Sequence, residues 1–336
     1  MIYEYLLGLL HQEAVVVATV IKVKGSVPRE VGAKMLITES ACVDTIGGGA
    51  GEAKAIAKAR EVLTTGVRAL IEIDLTGTPN SSHRPTEGIC GGWMEVLLER
   101  WQGEQAIALV TEIIANLRSG KEITLVTPLI QNVMIDGAER YLSSQQTDSF
   151  IEVLKPEPML LIVGAGHVGE QLAKVAHLSG FQIAIQDDRS EWANRDRYPQ
   201  ATFIYSSIAH ALTELAHHQE LYVALVTRGY RYDLEALKAL LERQVACAYI
   251  GMIGSDRRVK QVLAEVKREI LITIFPSIYA PIGLDIGALT PVEIAVSIVA
   301  ELIMVRRGGS GRSLSQVVYE PAIVNTSLDA LTNLYE

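Results

Sequence analysis

The chain reads as an α/β protein: a doubly wound parallel sheet in the C-terminal half, preceded by a smaller α+β domain. Three observations point there. From residue 159 onward short apolar runs alternate with helical periods. A glycine turn, "GAGHVG", separates the first run from the first of those helices. The first half lacks this rhythm and mixes longer strands with two helices. At 336 residues the chain exceeds one ordinary core, since domains run to roughly 150 residues.

In the first half, "AVVVATVIKVKG" and "AKMLIT" have strand character, and a glycine cluster opens an alanine-rich helix over 51–63. A strand near "VRALIEIDL", the polar loop "TGTPNSSHRPTEG" and a strand entered through "GICGGWMEV" follow. A helix over 104–118 and short strands to about residue 154 complete the unit. The stretches "SSQQTD" and "KPEP" read as joints. The predicted domains are therefore 1–155 and 156–307, with a tail over 308–336.

In the second half, "MLLIVG" precedes the helical "HVGEQLAKVAHLSG". Then come "FQIAIQD", "ATFIY", a helix over 209–217, "LYVALVT", a helix over 233–243, and "VACAYIGMIGS". Buried strands joined by helical crossovers make a parallel sheet covered on both faces. In "LTPVEIAVSIVAELI", Thr290 is an N-cap, Pro291 opens the helix and Glu293 closes a capping box. That helix is apolar nearly all round, which suits a core or an interface between copies of the chain.

Thirty Lys and Arg against 39 Asp and Glu give a net charge of −9. No basic field is available for nucleic acid or anionic lipid. The run "IAVSIVAELIMV" is too short to span a bilayer and contains Glu301, and Glu4 stands where a secretory signal carries positive charge. A cytoplasmic protein is expected. Three cysteines, at 42, 90 and 247, fit neither a disulfide framework nor a structural zinc site.

Gly164, Gly166 and Gly169 have the G-x-G-x-x-G spacing after a strand and before a helix, with Asp187 ending the next strand. That is the Rossmann-like arrangement: a tight turn, close approach to a pyrophosphate, close helix packing, and an acid for a ribose hydroxyl. Arg189 is either a second phosphate contact or a solvated charge. A second loop places Gly47, Gly48, Gly49 and Gly51 at a helix start, with Arg29 and Lys34 as a cationic lip; it is either an anion site or an ordinary turn. Arg228, Tyr230 and Asp233 in "VTRGYRYD" follow the fourth strand of the second half and could face a ligand, although Asp233 could equally cap a helix. Cys42 and Cys247, on apolar strands, read as packing residues. His210, His217 and His218 read as solvated, and His83 and His167 lack partners for a metal site.

Taken together, "GSVPREVGAKMLI", "IGGGAGEAKA", "CGGWMEVLLE", "LLIVGAGHVGEQLAKVA", "DDRSEWANRDRYP", "AYIGMIGSDRR" and "PIGLDIGALTPVEIAVSIVAELI" resemble the XdhC/CoxI family over about residues 10–307. The resemblance implies an accessory protein that binds molybdenum cofactor and protects it while a cysteine desulfurase supplies the terminal sulfur. It then delivers the cofactor to an apo molybdenum hydroxylase of the xanthine dehydrogenase type. A small N-terminal domain, a Rossmann domain and a homodimer are implied as well. Relatives often carry His where this chain has Tyr230, which puts proton transfer there in doubt. Cys90, flanked by Gly91 and Gly92, is the candidate to handle sulfur or to ligate molybdenum through the cofactor, since a thiolate is the ligating form and suits a soft metal. A buried inert thiol is the plainer alternative. Two rival functions remain: an NAD(P)-dependent oxidoreductase, and a structural adaptor with vestigial clefts.

Overall fold

The computed structural model describes residues 1–76, 91–129, 149–269 and 277–319. The chain divides into two compact units, Met1–Pro156 with His217–Gln219, and Glu157–Ala216 with Glu220–Glu336. None of the described helices is long and apolar enough to cross a membrane.

The first unit opens with helix α1 (Ile2–Leu10), which the sequence pattern does not announce. Tyr3, Leu6 and Leu10 form its buried stripe. Strands β1 (Val15–Lys24), β2 (Lys34–Ile37) and β3 (Cys42–Val43) follow, then α2 (Gly49–Thr65), β4 (Ala69–Leu75) and β5 (Gly92–Trp101). The five strands lie in the order β3-β2-β1-β5-β4, all pairs antiparallel. Alternation along β1 divides the core. Val16, Ala18 and Val20 pack toward α2, while Val15 and Val17 pack with α1 and α3 (Gly103–Arg118). Strands β6 (Ile123–Pro128) and β7 (Ser149–Leu154) pair as a separate antiparallel ribbon.

Several expectations need correction here. Lys34 forms no cationic lip: it is buried on β2, and its Nζ donates to Glu152 Oε2 at 2.6 Å and to the Gly32 carbonyl at 3.3 Å. Burial lowers its pKa, and Glu152 partly offsets that. Cys42 is exposed at the sheet edge instead of packed. His218, expected to be solvated, is buried, whereas His210 and His217 are not.

The second unit holds β8 (Met159–Val163), α4 (His167–Leu178), β9 (Gln182–Gln186), β10 (Ala201–Tyr205), α5 (Ile208–Glu214), β11 (Leu221–Leu225) and α6 (Tyr230–Leu241). Then come β12 (Tyr249–Met252), α7 (Asp256–Glu269), β13 (Ile278–Tyr279), α8 (Pro291–Arg307) and α9 (Leu314–Tyr319). Six parallel strands lie in the order β10-β9-β8-β11-β12-β13. Consecutive strands run outward from β8 in one direction and then from β11 in the other, so the chain reverses between β8 and β11. Crevices open at such switch points, beyond the carboxyl ends of the strands. Leu160 and Ile162 face α4 and α8, while Leu161 and Val163 face α5, α6 and α7.

Helix α5 ends earlier than the predicted 209–217, and α6 begins three residues before the predicted 233, because Gly229 rather than Asp233 is its N-cap. The capping box of α8 forms as predicted: Glu293 N donates to Thr290 Oγ1 at 3.3 Å, and Thr290 N donates to Glu293 Oε2 at 2.8 Å. Val292, Val296 and Ile303 of α8 remain exposed. The region expected to be a loose tail includes α9.

The Lys34–Glu152 pair ties β2 to β7, and a buried charge left without its partner is costly. Lys34→Met is expected to destabilise the protein by about 3–5 kcal/mol, with most of that recovered when Glu152→Leu is added. Urea unfolding of the single and double variants measures both.

Candidate functional site

Three glycines shape the turn after β8, for different reasons. Gly164 has φ +113°, and a Cβ there would stand 2.5 Å from the Val226 carbonyl oxygen. A Cβ on Gly169 would stand 2.2 Å from the Gly164 oxygen, so only glycine lets α4 approach the sheet this closely. Gly166 differs: a Cβ there meets nothing within 4 Å. It is the N-cap of α4, and the space beside it adjoins the positive end of the helix dipole.

Asp187 directly follows β9 and is 5% exposed. Its Oδ2 accepts from Ala165 N at 2.8 Å and from Arg189 Nη2 at 2.8 Å, and its Oδ1 accepts from Arg189 Nε at 2.8 Å. Arg228 Nη1 adds a longer contact at 3.4 Å. Burial alone would push this carboxyl up, but the Arg189 side chain and then the Ala165 and Arg189 amides hold it well below the usual range. Arg228 also forks onto Asp188 at 2.6 and 2.9 Å, and its guanidinium lies 3.9 Å from the Tyr232 ring centroid. Behind this loop, Thr227 Oγ1 donates to the fully buried Asp233 at 2.6 Å, and Arg258 Nε donates to the same carboxylate at 2.6 Å. Asp233 is thus neither a ligand contact nor a cap; it locks the end of β11 to α6 and α7.

Of these groups Gly164, Asp187, Asp188, Thr227, Arg228 and Tyr232 line a cavity of about 220 Å³, whose walls also include Ser207 and Glu235. Of the residues predicted from sequence, the fold brings Gly164, Asp187 and Arg228 to this cavity. Tyr230 does not line it and packs against the core beneath α6; Tyr232 stands at the cavity instead. Glu235, Ser207 and Asp188 carry no signal in the sequence that would single them out. Asp187, expected to hold a ribose hydroxyl, spends its oxygens on an amide and arginines. Arg189, left between phosphate contact and solvated charge, is the partner of Asp187 and also lies 4.9 Å from the Trp192 ring centroid. Arg197 lies 4.4 Å from that centroid and pairs with Glu170 at 2.7 Å.

The glycine loop of the first unit is already occupied by a carboxylate of its own chain. Glu52 Oε2 accepts from Ile46 N and Gly48 N, each at 3.1 Å, and from the Thr45 hydroxyl. Burial would raise its pKa, but the Thr45 hydroxyl and the amides of Gly48, Ile46 and Gly47 lower it overall. Gly47 and Gly51 serve packing: a Cβ would come within 2.2 Å of Pro28 Cγ at the first and 2.5 Å of Ile73 Cγ2 at the second. Gly48 (φ +74°) and Gly49 (φ +69°) face open space. Arg29 pairs with Asp44 at 3.3 Å beside this loop. Gly92 is held against the Ser26 carbonyl, whereas Gly91 faces open space. Cys90 lies outside the described residues, as does His83. Cys247 is half-buried with its thiol pushed up by burial, and Arg243 Nη1 stands 3.3 Å from its sulfur.

A six-stranded parallel sheet reversed at its centre, with a glycine turn and a charged crevice at the strand ends, defines a Rossmann domain, here preceded by a smaller α+β unit. The XdhC Rossmann domain matches residues 160–302, and the XdhC and CoxI family matches residues 9–74. The chain belongs to the XdhC/CoxI family. It is 28% identical over 322 residues to a Bacillus subtilis protein named as a probable xanthine dehydrogenase component, covering 88% of this chain and 94% of that protein. It is 33% identical over 165 residues to the uncharacterized protein YqeB of Escherichia coli, covering 48% of this chain and 30% of that one. A crystal structure described as a xanthine dehydrogenase from Bacillus halodurans superposes with a TM-score of 0.71 at 26% identity, covering 94% of this chain and 99% of that chain.

Because the folded-state pKa of Asp187 lies below the unfolded value of about 3.9, its contribution to stability is present above about pH 4 and is lost as pH falls toward the folded value. Asp187→Asn is expected to cost about 1–3 kcal/mol at pH 7. The gap from the parent should close as pH falls below ~4, measured by urea unfolding across that range.

Proposed function

We propose that this chain is an accessory protein for a molybdenum hydroxylase of the xanthine dehydrogenase type. In this role it binds molybdenum cofactor, supports its sulfuration by a cysteine desulfurase, and delivers it to the apo-hydroxylase. The names given to the Bacillus subtilis relative and the Bacillus halodurans structure support the association with xanthine dehydrogenase. The observation that carries the binding role is the open space at Gly166, on the N-terminus of a twelve-residue helix and two residues beyond Gly164, which lines the crevice. These residues fit a phosphate-bearing pterin: the first turn of α4 meets the phosphate, and the crevice meets the ring. When bound, the cofactor supplies the molybdenum centre that the hydroxylase requires.

The rival oxidoreductase function is less well supported by the same geometry. A nicotinamide enzyme needs the acid after β9 for ribose hydroxyls, and Asp187 is committed to Arg189, Ala165 and Arg228. The exposed Val292, Val296 and Ile303 on α8 favour pairing of two chains in a homodimer. Cys90 is proposed to handle the sulfur on the grounds of its sequence setting.

Gly166→Val places a branched side chain in the open space and should leave folding intact. Protein purified from a cofactor-producing host is expected to lose pterin about tenfold or more relative to the parent, a loss of at least ~1.4 kcal/mol, read by pterin fluorescence after oxidation. Equal retention removes this turn from the site. Cys90→Ser is expected to abolish activation of an apo-hydroxylase in a coupled assay, while Cys42→Ser and Cys247→Ser retain it. Full activation by Cys90→Ser makes that thiol a packing residue.

A further inference from the structure

We infer that the crevice selects a fused 2-amino-4-oxopyrimidine ring, the ring shared by pterins and guanine, and that Glu235 is the residue that selects it. This rests on reading the crevice as the ligand site. A cavity of about 220 Å³ is smaller than the roughly 300–1,000 Å³ of pockets that enclose a whole ligand. It holds one ring system, and the remainder of the ligand leaves past Gly164, which lines the same cavity, toward Gly166.

The charges on the walls decide which ring. Asp187 and Asp188 are paired with arginines. Glu235, exposed at the mouth of the cavity on α6, makes neither a side-chain hydrogen bond nor an ion pair among the described residues. An ionised carboxylate only accepts, and its two oxygens match two adjacent donors. The ring N–H and the 2-amino group of a 2-amino-4-oxopyrimidine provide such a pair. Adenine and cytosine place a donor beside a ring acceptor, so one carboxylate oxygen would face a lone pair. Hypoxanthine keeps the ring N–H but lacks the amino group. Tyr232, 38% exposed with Arg228 over its ring, offers an aromatic edge for the ring system. Glu235 repels a phosphate, which directs that end of the ligand to the first turn of α4.

Calorimetric titration of the full chain with GDP, IDP, ADP and neopterin tests this. GDP or neopterin is expected to bind about 10- to 100-fold more tightly than IDP and ADP, the range for a lost hydrogen bond to a charged group. Glu235→Gln should bring the GDP-to-IDP ratio close to one, and Glu235→Asp should keep part of it. Tighter binding of neopterin assigns the site to a pterin; tighter binding of GDP assigns it to a guanine nucleotide. Equal affinity of the parent for GDP and IDP overturns the inference, as does a ratio that survives Glu235→Gln. If no probe binds, the ring assignment is overturned, while pterin retention by the parent and Gly166→Val decides the cofactor role separately.

Discussion

The carboxylate of Asp187 holds three chain segments in one arrangement. It accepts from the turn after β8 through Ala165, from its own strand end through Arg189, and from the loop after β11 through Arg228. Those segments flank the reversal point of the sheet, where backbone bonds such as Gly164 N to the Gln186 carbonyl and Val226 N to the Val163 carbonyl already join the strand ends and the carboxylate adds side-chain and amide contacts beyond them. A buried carboxylate cannot remain charged there without donors, and the donors it gathers are what set the crevice walls. The arginines are as constrained as the acid: Arg228 is shared with Asp188 and laid on Tyr232, so its position follows from three contacts.

The polar groups around the crevice thus fall into two kinds. Behind it, Asp233, Thr227 and Arg258 satisfy one another and fasten α6 and α7 to the end of β11. Glu235 lies two residues beyond Asp233 on a different side of the helix, exposed at the cavity, and its side chain has no such partner among the described residues. Two acids on one helix therefore have opposite surroundings, one buried and paired and the other exposed at the cavity.

Much of the second unit was legible in the sequence because buried parallel strands are uninterrupted apolar runs, and Gly164 and Gly169 have the steric roles the motif foretells, whereas a Cβ on Gly166 would meet nothing within 4 Å. The errors have physical causes. Tyr230 was expected at the crevice because it follows β11, but it is the first residue of α6 and packs against the core, and Tyr232 stands at the cavity instead. Lys34 sits among glycines and reads as a surface cation; the acid that pairs with it in the interior, Glu152, is 118 residues away. Helix α1 is nine residues long and draws its stability from α3 and the sheet, not from local signals. The unpaired state of Glu235 depends on distances no single sequence reveals.

The loop at Gly47–Gly49 carries a tethered anion. Glu52 reaches back from the first turn of α2 onto the amides of Ile46 and Gly48, so the concavity is complete without any visitor. Because Glu52 is held a few residues away by the chain, its local concentration at those amides far exceeds that of a free phosphate. Any external anion seeking the same N–H groups enters as a competitor for an already filled position. The glycines of the loop record the demands of that turn and of close packing.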